Sequence, residues 1–401
     1  MRVRIFKSRG FGRIDAPTSK SMSHRMLIAA SLSPKVSTVR GINLCDDVKA
    51  TIEALKSLGA EIEMCEDIAR VRGVAPKDIS PPTAIDCHES GSTLRFIIPI
   101  AALSQKTTVF KRGEGLIARP LFEYERIFKE RGLNFNNGLE LSVSGPLSAG
   151  EYKLCANVSS QFISGLIFAL PTLEGDSKII IEPPFESRPY VDMTLVAVRE
   201  FGIRADFYDE NTILIPGNQT YAPQNVKVEA DYSSAAFLDA LSLLGGEVEV
   251  LGLSELSAQG DRVYRDYYQL LRDGCPTLSV KDCPDLAPVI MALASALNGA
   301  TLTDTQRLRY KESDRAEAMA NELTKLGVRV NCENDKITVY PCRVFNKNAL
   351  LDGHNDHRIV MALSVLLTAI GGEIDGCEAV AKSYPSFFRD LRSLGIRIEL
   401  Y

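Results

Sequence analysis

The residues that could do chemistry are cations at helix starts, accompanied by two carboxylates. The first group is Pro17-Thr18-Ser19-Lys20-Ser21-Met22-Ser23-His24-Arg25, followed at once by the apolar run Met26 to Ala30. It reads as the start of a helix, with Ser19 or Ser21 able to accept from the first-turn N–H groups. Cations are mildly unfavourable there, by roughly 0.3–1 kcal/mol each, because a helix start already carries partial positive charge. Lys20, Arg25, serine hydroxyls and free N–H groups together predict an anion site. The plain alternative, a solvated basic helix start, would win if this group stood alone.

It does not stand alone. Gly113-Glu114-Gly115-Leu116-Ile117-Ala118-Arg119-Pro120 is a glycine-rich loop running into a helix, with Arg119 at the entrance. Ser187-Arg188-Pro189-Tyr190 holds the equivalent place further on. Arg307-Leu308-Arg309-Tyr310-Lys311-Glu312-Ser313-Asp314-Arg315 interleaves both signs of charge, and an amphipathic helix is predicted from Ser313. Glu312, between Lys311 and Arg315, could serve as an acid or base tuned by its neighbours. Asp285 follows Pro284 at another helix start, where N-capping is the commoner role for an aspartate. Asn355-Asp356-His357-Arg358 is a further basic start, and Lys382 lies in the loop before the last amphipathic helix. No second histidine stands at ligand spacing from His357 on its predicted helix, so a metal ranks low. With Arg95, the set offers enough positive charge for two polyanionic small molecules and two carboxylates for proton transfer. Neither a nucleotide-binding fingerprint nor a phosphate loop of the nucleotide-hydrolase kind is present.

Two repeated signatures supply the elements that must position these groups. The first is a glycine ending an amphipathic helix and leading into a strand, at Gly59, Gly132, Gly202, Gly274, Gly327 and Gly395. Glycine suits the left-handed position just past a helix. The spacing is roughly 70 residues, with one short interval of roughly 50 before Gly327. The second signature is a polar start followed by a helix apolar on all sides, beginning near Ser19, Ser90, Ser159, Asp231, Cys283 and Asn355. Such helices are buried. Six units in 401 residues predict two domains of three units each. The boundary falls near Val228-Glu229-Ala230-Asp231, giving an inserted domain at 18–229 and a discontinuous one at 1–17 plus 230–401, to which the first strand crosses over. If the polar starts of both domains face one another, they make an anion-binding cleft.

A net charge of −5 argues against general nucleic-acid binding, so the basic groups are local features. The N-terminal residues alternate like a strand without a signal-peptide core, and no apolar run is long enough to span a membrane. The nine cysteines are scattered without zinc or disulfide spacing, which reads as reduced thiols in the cytoplasm.

The ordered motifs together resemble the 5-enolpyruvylshikimate-3-phosphate synthase family of enolpyruvyl transferases. The likeness runs the whole length through Ser19-Lys20-Ser21 with Arg25, Gly91-Ser92 with Arg95, Arg119-Pro120 and Ser159-Ser160-Gln161. It continues through Ser187 with Tyr190, Pro284-Asp285, Lys311 to Arg315, Asn355 to Arg358, and Lys382. The resemblance implies an α/β fold of two domains, an inside-out α/β barrel built from six βαβαββ repeats, with the site in the interdomain cleft. It implies transfer of the enolpyruvyl group of phosphoenolpyruvate to the 5-hydroxyl of shikimate 3-phosphate through a tetrahedral intermediate. No cofactor and no metal are expected, and a monomer is. By matching position, Ser21, Arg25, Ser159, Ser160, Gln161, Ser187, Tyr190, Asp285 and Lys311 would hold shikimate 3-phosphate. Lys20, Gly91, Arg119, Gln161, Arg315, Arg358 and Lys382 would hold phosphoenolpyruvate. Asp285 would take the 5-hydroxyl proton, and Glu312 would exchange one with the methylene carbon, assisted by Lys20. This chain departs from the family pattern at Thr18, at His88-Glu89-Ser90 and at Arg307. Two other readings are a transferase acting on UDP-N-acetylglucosamine and a non-catalytic phosphometabolite-binding module. The first typically carries a cysteine in the loop that here runs from Gly113 to Pro120, and the second needs neither Asp285 nor Glu312.

Overall fold

The apolar stretches become helices because their sides are buried all round, and a polar residue caps four of the six. The computed structural model describes residues 1–138, 140–156 and 158–401. The chain divides into two compact units, residues 18–229 and residues 1–17 with 230–401.

In the unit 18–229 the helices are α1 (Lys20–Ser31), α2 (Asp46–Ser57), α3 (Gly91–Ala101), α4 (Glu114–Ile117), α5 (Phe122–Glu130), α6 (Gln161–Ala169) and α7 (Arg188–Glu200). Ser19 caps α1 by accepting from the N–H of Met22, and Ser90 caps α3 by accepting from Thr93. α3 packs on α6, and α1 packs between α2 and α7. A buried polar chain ties the first three together. His24 Nδ1 lies 2.7 Å from Thr51 Oγ1, and Thr51 lies 2.7 Å from Thr93 Oγ1. Burial holds His24 well below the usual imidazole range, so it is neutral there.

In the other unit the helices are α8 (Tyr232–Leu243), α9 (Tyr264–Asp273), α10 (Ala287–Ala296), α11 (Arg315–Lys325), α12 (His357–Ile370) and α13 (Phe387–Ser393). Asp231 caps α8 and Asp356 caps α12. α8, α10 and α12 pack against one another and form the centre of this unit's hydrophobic core.

The sheets lie outside these helices, and their strands alternate between buried and exposed residues, as strands with one wet face do. The architecture is inside-out for that reason: the most apolar elements are helices, so helices fill the middle. Among the described residues five sheets have four strands and one has two. A complete sheet pairs two strands in parallel and adds two antiparallel ones, as in Ala84–Asp86, Thr108–Lys111, Leu141–Ser144 and Asn134–Asn137. Sheets also borrow strands from far along the chain. Asn225–Lys227 pairs with Val36–Arg40 in one unit. In the other, Arg2–Ile5 lies between Gly372–Asp375 and Ile398–Leu400.

The six repeats are present, three in each unit, and the fourth is trimmed, as the short interval after it suggests. The fourth repeat keeps only a parallel pair, Phe11–Asp15 with Glu247–Leu251. After α9 the chain enters Thr277–Ser279, which is already the first strand of the fifth repeat. The two missing strands account for the short interval before Gly327. They also explain why Gly274 differs from its counterparts. Gly59, Gly132, Gly202, Gly327 and Gly395 have φ between 66° and 105°, and the residue after each donates back into its helix, as Ala60 does to Leu55. Gly274 has φ 175°, an extended conformation open to any residue. There the side-chain amide of Asn298 donates to the carbonyls of Leu271 and Arg272 and closes the helix end instead.

Candidate functional site

In the unit 18–229, α1 presents its two cations to different neighbours. Lys20 Nζ lies 3.0 Å from Asp47 Oδ2, in the first turn of α2. No local signal in the sequence marks Asp47 as this partner, because it lies 27 residues from Lys20. Arg25 is buried and reaches α7: Nε donates to Thr194 Oγ1 at 2.8 Å and Nη2 to the Tyr190 carbonyl at 2.9 Å. Its Nη1 donates to the Ser21 carbonyl at 2.8 Å, and its guanidinium lies 5.2 Å from the Phe96 ring centroid. Burial lowers its pKa to about 10, which leaves it charged at neutral pH.

The other cations of this unit gather around Gly91, the first residue of α3. A Cβ there would lie 2.6 Å from Arg119 Nη1 and 3.1 Å from Arg95 Nη1, so glycine leaves the room that two guanidinium groups occupy. Arg95 Nη1 donates to Gln161 Oε1 at 2.8 Å, and Gln161 Nε2 donates to Ser92 Oγ at 2.9 Å. The backbone N–H of Gln161 donates to Ser159 Oγ at 3.3 Å, while Ser160 is the buried residue before α6. Gly91, Ser92, Arg95, Arg119, Ser159 and Gln161 thus form one cluster. The loop before Arg119 is not open as its glycines suggest, for it makes its own helical turn, α4. Ser187 is buried just before α7 with φ 53°, a left-handed conformation that costs a non-glycine residue of order 1–3 kcal/mol.

In the unit 1–17 with 230–401, one side chain organises the rest. Arg315, the first residue of α11, is 1% exposed. Its Nη1 donates to Asp285 Oδ1 at 2.6 Å, its Nη2 to Glu312 Oε2 at 2.6 Å, and its Nε to Asp356 Oδ2 at 2.8 Å. Arg358 Nη2 donates to the other oxygen of Asp285 at 3.2 Å. Arg358 Nε and Nη1 are also buried and have no hydrogen-bond partner among the described residues. Buried guanidinium N–H groups left in this way are costly, by roughly 1–3 kcal/mol each, unless a ligand accepts from them. Asp285 does not N-cap its helix, as an aspartate after Pro284 would be expected to; its two oxygens go to two arginines instead. Burial pushes its carboxyl up, but Arg358, Arg315 and Lys311 outweigh this and hold it well below the usual carboxylate range. Lys311 is lowered to about 8, by burial first and then by Arg307 and Arg315.

The neighbouring residues differ from expectation in three places. α11 begins at Arg315, not Ser313: Asp314 is its cap, and Ser313 Oγ donates to Asp356 Oδ2 at 3.0 Å. Lys382 is the last residue of a short 3-10 helix, Cys377–Lys382, and its Nζ donates to the Asn355 carbonyl at 2.7 Å. Asp356, fully buried, is a structural partner with no role among the expected site residues. Its signal was present as the N-cap before His357. His357 itself is buried on α12, and its Nδ1 is 4.0 Å from Asp356 Oδ1. Among the described residues no group of three His, Cys, Asp or Glu side chains could hold a metal ion.

Buried helices with half-exposed sheets outside them, and arginine clusters at the helix starts, define an anion-binding α/β fold of the inside-out kind. Two solved structures of EPSP synthase from Acinetobacter baumannii share this fold: one has a TM-score of 0.80 and the other 0.79, at 22% and 21% identity. The first covers 99% of both chains. The family model for EPSP synthase (3-phosphoshikimate 1-carboxyvinyltransferase) matches residues 7–391. A 3-phosphoshikimate 1-carboxyvinyltransferase of Clostridioides difficile (strain 630) is 37% identical, over 99% of this chain and 98% of its own length. One of Clostridium kluyveri is 39% identical, over 97% of this chain and 96% of its own. The chain belongs to the EPSP synthase family. It is an enzyme of aromatic amino acid biosynthesis that transfers the enolpyruvyl group of phosphoenolpyruvate to shikimate 3-phosphate. That activity sets aside both the UDP-N-acetylglucosamine transferase and the non-catalytic module. No described helix is long and apolar enough to cross a membrane.

Proposed function

We propose that the two substrates are divided among the clusters as follows. Ser21, Arg25, Ser159, Ser160, Gln161, Ser187 and Tyr190, with Asp285 and Lys311, hold shikimate 3-phosphate. Lys20, Gly91, Arg119, Gln161, Arg315, Arg358 and Lys382 hold phosphoenolpyruvate. Asp285 takes the proton of the 5-hydroxyl as its oxygen bonds to C2 of phosphoenolpyruvate, and Glu312 delivers a proton to the C3 methylene. The resulting tetrahedral intermediate then loses phosphate from C2, while a C3 proton returns to Glu312 and restores the double bond. Lys20 assists Glu312 in that exchange, and the proton taken up by Asp285 leaves with the phosphate. Each step needs charge clamps and proton transfer, which these side chains supply.

The observation that carries the reading is the pair of buried, unpartnered N–H groups on Arg358 beside a carboxylate held by two arginines. In that state Asp285 is a weak base, because two guanidinium groups favour its ionised form. An anionic carboxylate accepting from Arg358 Nε and Nη1 offsets that charge and raises the basicity of Asp285 when the substrate arrives. Proton abstraction is thereby linked to phosphoenolpyruvate binding.

The test is Glu312→Gln. Phosphate release with both substrates is expected to fall roughly 10²–10⁴-fold, the usual range for losing a positioned acid or base. Binding of each substrate by calorimetry is expected to survive. Unchanged turnover would remove Glu312 from the reaction. We further infer a cytoplasmic monomer. Light scattering at the mass of two chains would overturn the monomer.

A further inference from the structure

One buried acid–base pair lies behind the phosphoenolpyruvate cations, and the mechanism above does not use it. Glu322, on α11 two turns after Arg315, is fully buried. Its Oε1 lies 2.7 Å from His354 Nε2 and 2.8 Å from Lys325 Nζ. Its Oε2 accepts from the backbone N–H of Asp352 at 2.9 Å. A buried carboxylate on a helix face is thus joined to both ends of a tight turn, residues 352–354, in a neighbouring strand and loop.

That turn is strained. His354 has φ 50° and Asn355 has φ 51°, two consecutive non-glycine residues in the left-handed region. Such conformations persist only where surrounding contacts over-determine them. Here the contacts are the Glu322–His354 pair, the His354 N–H donating to Asp352 Oδ1 at 2.6 Å, and the Asp356 N–H donating to the Gly353 carbonyl at 2.9 Å. The turn in its twisted form does three things. It aims the Asn355 carbonyl at Lys382 Nζ, it places Asp356 against Arg315 Nε, and it starts α12 so that Arg358 reaches Asp285. Arg315, Arg358 and Lys382 are the cations assigned to phosphoenolpyruvate in this unit.

We infer that Glu322 and His354 are positioning residues for phosphoenolpyruvate: their contact fixes the turn that orients Arg358, Lys382 and the Asp356–Arg315 pair. The inference rests on the assignment of those three cations to that substrate. It requires the ring to donate to Glu322. Protonation strengthens that contact, and the hydrogen bond to Glu322 raises His354 above the usual imidazole range. The charged groups that face the ring are Glu322 and Lys325 on α11 and Asp352 on the preceding strand. The ionised Glu322 is the matching state: burial pushes it up, but His354 and Lys325 outweigh this and hold it below the usual carboxylate range. The latch is therefore fully formed below pH ~6.5, the ordinary histidine value, and loosens as pH rises through the raised value.

The experiment uses His354→Asn and Glu322→Gln in the full chain. Asparagine tolerates the left-handed turn but cannot reach Glu322 with a charge. His354 is partly exposed, so this variant tests the idea even if the buried Glu322→Gln fails to fold. For His354→Asn the KM for phosphoenolpyruvate is expected to rise about tenfold, the scale of one lost charged hydrogen bond. The KM for shikimate 3-phosphate and kcat are expected to change less than about twofold. In the unchanged enzyme the phosphoenolpyruvate KM rises with pH relative to the His354→Asn profile, which lacks that component. A uniform loss of kcat, or a KM that matches the unchanged enzyme at every pH, overturns the inference. Arg358→Ala separates the two levels. If it leaves the phosphoenolpyruvate KM unchanged, the cation assignment itself fails. If it raises the KM while His354→Asn does not, only the latch fails.

Discussion

Replacing Asp356 by Asn tests whether the Arg315 cluster is held together from behind. The carboxylate is fully buried and accepts four hydrogen bonds. Oδ2 takes Arg315 Nε at 2.8 Å and Ser313 Oγ at 3.0 Å; Oδ1 takes the Arg358 N–H at 2.9 Å and Arg315 Nη2 at 3.3 Å. An amide has one oxygen, so it keeps one of these pairs and turns an NH₂ toward the donors of the other. At least one charge-assisted bond is lost, about 1.5–3 kcal/mol, and at least one buried donor is left unsatisfied, about 1–3 kcal/mol. Arg315 keeps Asp285 and Glu312, so the ~3–5 kcal/mol typical of stranding a buried charge is an upper bound. We expect a loss of about 3 kcal/mol. For a domain of this size, that corresponds to a fall in Tm of about 6–12 °C. Scanning calorimetry with and without substrates is the assay. The same change should lower kcat/KM for phosphoenolpyruvate by more than tenfold, because Arg315 and the start of α12 both lose their reference point. A Tm within ~2 °C of the unchanged protein would refute the reasoning, since it would mean that Asp356 does not bear the charge of Arg315.

Other expectations follow from the same geometry. Lys311, lowered to about 8, loses its proton above that pH while the unfolded chain keeps it to about 10.4. Its contribution to stability therefore rises with pH between those values, whereas affinity for shikimate 3-phosphate falls. Titration calorimetry at pH 7 and pH 9 should show this fall, and Lys311→Arg should remove it. Gly91→Ala pushes a methyl group to 2.6 Å from Arg119 Nη1, so that guanidinium must move. The phosphoenolpyruvate KM should rise on the order of tenfold, since displacements near 1 Å cost that much or more, and an unchanged KM would mean Arg119 does not bind that substrate. Asn298→Ala removes the side-chain closure of α9 and should lower the Tm by about 2–4 °C, corresponding to about 1 kcal/mol. No change would show that solvent replaces it.

The sequence by itself determined the elements whose causes are local. The caps at Ser19, Ser90, Asp231 and Asp356, and the glycines after five of the amphipathic helices, are fixed by residues within one turn of each other. The order of the motifs was enough for the family and its chemistry, because those motifs recur along the whole chain. The truncated fourth repeat left only a shortened spacing as its trace, since a missing strand has no residues to read. Tertiary structure alone decided which charges meet. Asp285 lies 30 residues before Arg315 and 73 before Arg358, Asp47 lies 27 after Lys20, and Glu322 lies 32 before His354. Helix and strand periodicity carries no information over such distances. The first strand, Arg2–Ile5, joins a sheet whose other strands come from the last 52 residues of the chain, Leu350 to Tyr401. These pairings exist because apolar helices must be buried together, and burying them brings their polar starts, and the charges they carry, into contact.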